Sequence, residues 1–185
     1  MNRWRTTYFS MNDYLKKWCC LIIFNIDKKN IDAINSIASS IDCSKHFYCD
    51  KEIIAHYKLN SDQIQKYVPH GDEFGTQIKN AFENAFSKGF RKVVLIKNNF
   101  DQLQPSQIIE AFNCLKMIEF CIGPKSNGDY YLIGMNYFEP LLFINKQWNS
   151  PTLLKETIKD IGKLKLALYK LSTIQTLENA TTLNN

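Results

Sequence analysis

Apolar residues in this chain follow two alternating patterns. Short continuous runs form one: Cys19-Cys20-Leu21-Ile22-Ile23-Phe24, Val93-Val94-Leu95-Ile96 and Phe120-Cys121-Ile122. Each is strand-sized and lacks polar alternation, which suits a strand covered on both faces. In the other pattern, apolar residues recur three or four apart. Ile31, Ile34, Ile37, Ala38 and Ile41 predict a helix over 29–42. Ile78, Phe82, Ala85 and Phe86 predict another over 76–87, stopped by Gly89. Ile108, Ile109, Phe112 and Leu115 predict a third, opened by Pro105 at its first position. Further strands are predicted over 46–49, 117–122, 130–135 and 163–169, with a helix from Ser150-Pro151 to Ile161 stopped by Gly162. Residues 60–70 fit either a short helix capped by Ser61 or a brief strand begun at Tyr67-Val68.

Helices alternating with buried strands imply an α/β fold: three layers, α/β/α, around a mostly parallel central sheet. The three apolar runs should be neighbours in that sheet, with the run at 93–96 away from its edges. Residues 1–17 are mixed and polar and read as an N-terminal extension, leaving 18–180 as a single domain. In such folds ligands bind beyond the carboxyl ends of the strands. The loops to inspect are therefore 25–29, 70–75, 97–103 and 124–129.

Composition narrows the function classes. With 45% hydrophobic and 22% charged residues, the chain of 185 residues is globular in character, and 13% aromatic content supplies a well-filled core. The net charge of +5 is spread in short pairs such as Lys16-Lys17 and Arg91-Lys92, not gathered on one face. A nucleic-acid-binding role is thereby disfavoured. The six cysteines form no Cys-x-x-Cys pair and mostly lie in apolar runs, which fits buried thiols and a cytoplasmic location. The apolar run after the basic N-terminus is too short to span a bilayer and no small-residue cleavage site follows it, so no membrane role is expected. His46, His56 and His70 lack metal-ligand spacing, and no phosphate-binding glycine loop or nucleophile elbow appears.

Read in order, the loops carry a resemblance. The pieces are Gly71-Asp72-Glu73-Phe74-Gly75, Arg91 to Ile96, Ile122-Gly123-Pro124, Asn127-Gly128-Asp129-Tyr130-Tyr131, Trp148-Asn149-Ser150-Pro151-Thr152 and Thr173-Ile174-Gln175-Thr176. In order and spacing they resemble a bacterial family of GT-A-type glycosyltransferases, of the arsenosugar-biosynthesis type, within the nucleotide-diphospho-sugar transferase superfamily. The resemblance implies a GT-A-like sheet, a sugar-nucleotide donor and a divalent ion, Mg or Mn, held by carboxylates. Several expected acids are replaced. Where the family has Gly-Ser-Asp after its strand, this chain has Lys97-Asn98-Asn99, so Asn99 stands at the metal-ligand position. Asn127 and Gln175 stand at two further acidic positions, and the basic nucleotide loop expected after Phe24 is missing.

These replacements bear on chemistry. A divalent ion offsets the charge that develops on a departing diphosphate, and hard cations need anionic oxygens. Each amide in place of a carboxylate removes one charge. The leading expectation is a glycosyltransferase-like protein, catalytically impaired or inactive, that serves as a binding or interaction module, with no cofactor and weak or no nucleotide-sugar binding. The alternative is an active, divergent transferase. It would use Asp72, Glu73, Asp101 and Asp129 as catalytic candidates, with Asp101 and Asp129 holding a shifted Mg or Mn. A third reading is a mildly basic nucleic-acid-associated domain. His70, Gly71, Gly75, Gly128, Tyr130 and Trp148 are the residues expected to line a substrate pocket.

Overall fold

The structure, a computed structural model, describes residues 17–24, 26, 29–56, 63–97 and 102–176. Seven strands form one sheet in the order β3-β2-β1-β4-β6-β5-β7. They are β1 (Cys19–Phe24), β2 (Ser44–Tyr48), β3 (Ile64–Tyr67), β4 (Lys92–Lys97), β5 (Phe120–Pro124), β6 (Tyr130–Met135) and β7 (Leu168–Lys170). The helices are α1 (Ile31–Ser40), α2 (Lys51–His56), α3 (Phe74–Ser87), α4 (Pro105–Cys114) and α5 (Leu153–Lys163), with a 3-10 turn at Pro140–Phe143.

β1 is an inner strand of the sheet, pairing in parallel with β2 on one side and β4 on the other. All of its residues are buried. Cys19, Leu21 and Ile23 face one core, shared with α1 and α4; Cys20, Ile22 and Phe24 face a second, shared with α3, the 3-10 turn and α5. Strand alternation thus splits a continuous apolar run between two helical layers. The helices match: α3 buries Ile78, Ala81, Phe82 and Ala85 along one stripe, and α4 buries Ile108, Ala111 and Phe112.

Several expectations need correction, among them the strand predicted over 163–169, which forms only at Leu168–Lys170. The runs at 93–96 and 120–122 are not neighbours, because β6 pairs antiparallel with both β4 and β5 and lies between them. The short turn from β5 into β6 leaves no room for a crossover, so the strand returns beside its predecessor and reverses direction. Met117 begins no strand; it is 88% exposed, and β5 starts at Phe120. Gly162 does not end α5, which continues to Lys163 before Lys165 turns the chain with φ +57. Residues 64–67 settle as the edge strand β3, paired with β2. Residues 1–16 of the extension predicted over 1–17, Ser61 and most of the loop after Phe24 lie outside the described residues. Among the described residues no helix is long and apolar enough to cross a membrane.

Candidate functional site

The carboxyl ends of β4 and β5 and the turn between β5 and β6 converge on a buried group of charges. Lys97, the last residue of β4, follows the period of Val93 and Leu95 and so points its side chain into the layer of α3 and α5. It is fully buried. Its Nζ donates to Asp129 Oδ1 at 3.0 Å and to Oδ2 at 3.3 Å. Lys125, just past β5, brings a second ammonium to 3.6 Å from Asp129 Oδ2. The rings of Tyr130, Trp148 and Phe74 surround the Lys97 ammonium at 4.8, 5.6 and 5.7 Å. Burial pulls the Lys97 pKa down, and the neighbouring Asp129 carboxylate pushes it back up. The same two causes, in the same order, act on Lys125.

Local sequence builds this arrangement. Asn127 Oδ1 accepts the Asp129 backbone N–H at 3.2 Å, closing an Asx turn, while Gly128 takes φ +83. The Asp129 carboxylate then accepts the Tyr130 N–H at 2.7 Å, which fixes its direction. Gly128 also meets the turn before α5 closely: a Cβ there would lie 2.0 Å from the Pro151 carbonyl oxygen. Gly75, in the first turn of α3, admits the Trp148 indole, whose Nε1 would lie 2.2 Å from an added Cβ. Asn127 and Gly128 are therefore turn-forming residues, and Gly75 makes room for one wall of the Lys97 box.

The sequence candidates are divided by this geometry. Asp129, Tyr130, Trp148, Gly75 and Gly128 come together, and Phe74 joins them. His70 and Gly71 lie on the approach to α3, where the His70 carbonyl accepts from Asn80 and the Gly71 carbonyl from Gln77. Asp72 and Glu73 are exposed in the same turn and make no ion pair among the described residues. Gln175 is exposed beside Ile174, which bridges to Lys125, and the Ser126 and Thr176 hydroxyls pair at 2.8 Å. Asn99 and Asp101 lie outside the described residues.

A divalent metal does not fit the donors that are described. Both Asp129 oxygens are engaged by ammonium groups, and no group of three or more His, Cys, Asp or Glu side chains converges among the described residues. Of the histidines, His46 is fully buried, with both ring nitrogens unpaired between the rings of Tyr67 and Phe90. The pairing of Lys97 and Lys125 with Asp129 is not apparent from sequence spacing alone. The available signal was a lysine ending an otherwise apolar strand, a position that demands a buried counter-charge.

Residues 34–150 match the model of a family described as an uncharacterized protein family conserved in bacteria, DUF2064. The chain belongs to this family. No curated protein matches it. Solved structures share its fold at low identity. A provisionally assigned nucleotide-diphospho-sugar transferase from Desulfovibrio desulfuricans G20 superposes with a TM-score of 0.76 at 19% identity, covering 88% of this chain and 82% of that one. Rv0371C from Mycobacterium tuberculosis H37Rv, solved as a manganese complex, gives 0.57 at 9% identity over 88% and 90% of the two chains. The 4-diphosphocytidyl-2C-methyl-D-erythritol synthase from Anaerococcus prevotii DSM 20548 gives 0.58 at 9% identity over 84% and 87%. This DUF2064 chain thus has a nucleotide-diphospho-sugar transferase-like fold.

Proposed function

We propose that this protein is a transferase-like binding module that has given up metal-dependent sugar transfer. The observation that carries this reading is the ion pair at the strand ends. Lys97 stands where the family it resembles has glycine, and a glycine there would leave open the space that the Lys97 side chain fills. Asp129, an acid left at a described strand end, is spent on holding Lys97 and Lys125. A carboxylate that already pairs with two ammonium groups is a poor ligand for a divalent ion, because the ion would have to displace a buried charge and leave it unpaired.

The same cluster limits diphosphate binding. Binding a diphosphate takes a metal with anionic ligands or several free donors. Lys97 is fully buried and its ammonium is committed to Asp129, and the Lys125 side chain is nearly so. Calorimetry with UDP, GDP and their sugars, with and without Mn²⁺, tests the reading, alongside an assay for sugar-nucleotide turnover. We expect dissociation constants of about a millimolar or weaker, equivalent to roughly 4 kcal/mol, and no turnover. Low-micromolar, manganese-dependent binding would instead favour the divergent transferase with Asp101 and Asp129 as metal ligands.

A further inference from the structure

A second concavity lies apart from the Lys97 box. It is a cavity of about 460 Å³ between the 3-10 turn, the segment after it and the polar face of α5. The element order places it toward the amino ends of the parallel strands. β6 ends at Met135, paired with Val93 and Phe120, just before the 3-10 turn; α5 leads into β7, whose Leu168 also pairs with Phe120. It shares no lining residue with the Lys97–Asp129 cluster.

Its walls differ in chemistry. Leu141 and Ile144, 54% and 48% exposed, leave much of their hydrocarbon surface in water on one side. Across from them stand charges on α5. Asp160 pairs with the Lys146 ammonium, whose side chain is only 2% exposed, and with Lys163 at 2.7 Å. Glu156 accepts a hydrogen bond from the Thr152 hydroxyl at 2.7 Å. Lys159 lines the cavity and makes no ion pair among the described residues. The lining lysines 146, 159 and 163 outnumber the acids 156 and 160 by one charge.

We propose that this cavity binds an amphipathic monoanion, a medium-chain alkyl carboxylate. The hydrocarbon would cover Leu141, Ile144 and Leu164, and the carboxylate would meet Lys159. The size suits a small ligand. The single surplus positive charge selects one negative charge, while Glu156 and Asp160 repel a more highly charged anion. Uncovered leucine and isoleucine side chains gain by losing contact with water, which a short, fully hydrated anion such as acetate does not provide.

The test is amide-resolved NMR titration of the full chain with acetate, hexanoate, octanoate and octylammonium. Each methylene that is fully buried should strengthen binding about fourfold, so octanoate should exceed hexanoate by up to about sixteenfold. Shifts should centre on 141–146 and 156–164. Lys159→Gln should weaken octanoate by up to about fivefold, the size of an exposed ion contact, and Ile144→Ser should flatten the chain-length dependence. Both positions are exposed, so the variants keep their fold, checked by unchanged resonances elsewhere. The proposal is overturned if octylammonium binds as well as octanoate, if the shifts fall outside this cavity, if neither substitution matters, or if octanoate does not bind.

Discussion

Removing the Asp129 charge is the sharpest test of how the strand-end cluster is held together. In Asp129→Asn, a fully buried Lys97 ammonium loses the partner that accepts from it at 3.0 Å. At that separation and an effective dielectric near 20, the attraction is roughly 5 kcal/mol. Much of it offsets the cost of desolvating both groups, so the measurable quantity is the penalty for breaking the pair, about 3–5 kcal/mol for a buried partner. The aromatic rings around Nζ recover part of this, at about 0.5–2 kcal/mol for such contacts, so about 3 kcal/mol is the expected loss. Lys97→Met should cost less, about 1–3 kcal/mol, because Asp129 keeps Lys125 and the Tyr130 N–H. The double variant leaves neither charge stranded at this pair and should be more stable than the sum of the singles by about 2 kcal/mol or more. Urea unfolding at pH 7 of the four proteins gives the cycle. The sign of its pH dependence follows from Lys97, whose pKa burial lowers and Asp129 raises. Without Asp129 the native ammonium loses its proton more readily than the unfolded one. The unfolded state then binds more protons, and stability rises with pH. The Asp129→Asn deficit should therefore shrink on moving toward pH 10. A loss under about 1 kcal/mol, or additive singles, would refute the reasoning.

His46 and Gly75 supply two further tests. Burial, reinforced by nearby Lys88, lowers the His46 pKa to about 4. The unfolded chain, near 6.5, therefore takes up the proton first, and stability should fall between pH 6.5 and 4 by up to about 3 kcal/mol. His46→Phe should remove that slope in urea titrations at pH 5 and 8; equal slopes in both proteins would exclude His46 as its source. Gly75→Ala places a methyl where the Trp148 indole lies, so it should cost about 1–3 kcal/mol and change the tryptophan near-ultraviolet signal. An unchanged signal at unchanged stability would mean that Trp148 does not pack against Gly75.

Much of the fold was legible because buried strands and one-sided helices have different periods. β1, β4, α3 and α4 could be read from runs and spacings that no other element imitates. Strand neighbourhood could not, since local pattern does not say whether a short turn returns a strand beside its predecessor. That is how β6 came to separate β4 from β5. The edge strand β3, half-buried and carrying Gln65 and Lys66, gave a mixed signal for the same reason that it is an edge. Gly162 misled because glycine permits a left-handed turn without requiring one, and Lys165 made the turn instead. At the site, the resemblance drew attention to Asp129, Tyr130, Trp148, Gly75 and Gly128, which the fold brings near one another. It could not show which acids were free.

That last distinction decides how an acidic residue at a strand end should be read. A carboxylate is available to a metal only to the extent that nothing else pairs with it, and a buried lysine that keeps its proton needs such a partner. Once Lys97 ends β4, Asp129 is the group that makes its burial tolerable, and Asn127 and Gly128 shape the turn that delivers it. Under the proposed reading, the amides Asn99, Asn127 and Gln175, at positions where the resemblance implies acids, and the lysine at 97 belong to one account, in which the acid that remains, Asp129, answers a cation the chain itself supplies. On that reading, restoring an acid at a single amide leaves the Lys97–Asp129 pair in place, so metal binding is expected only where the lysine is removed as well.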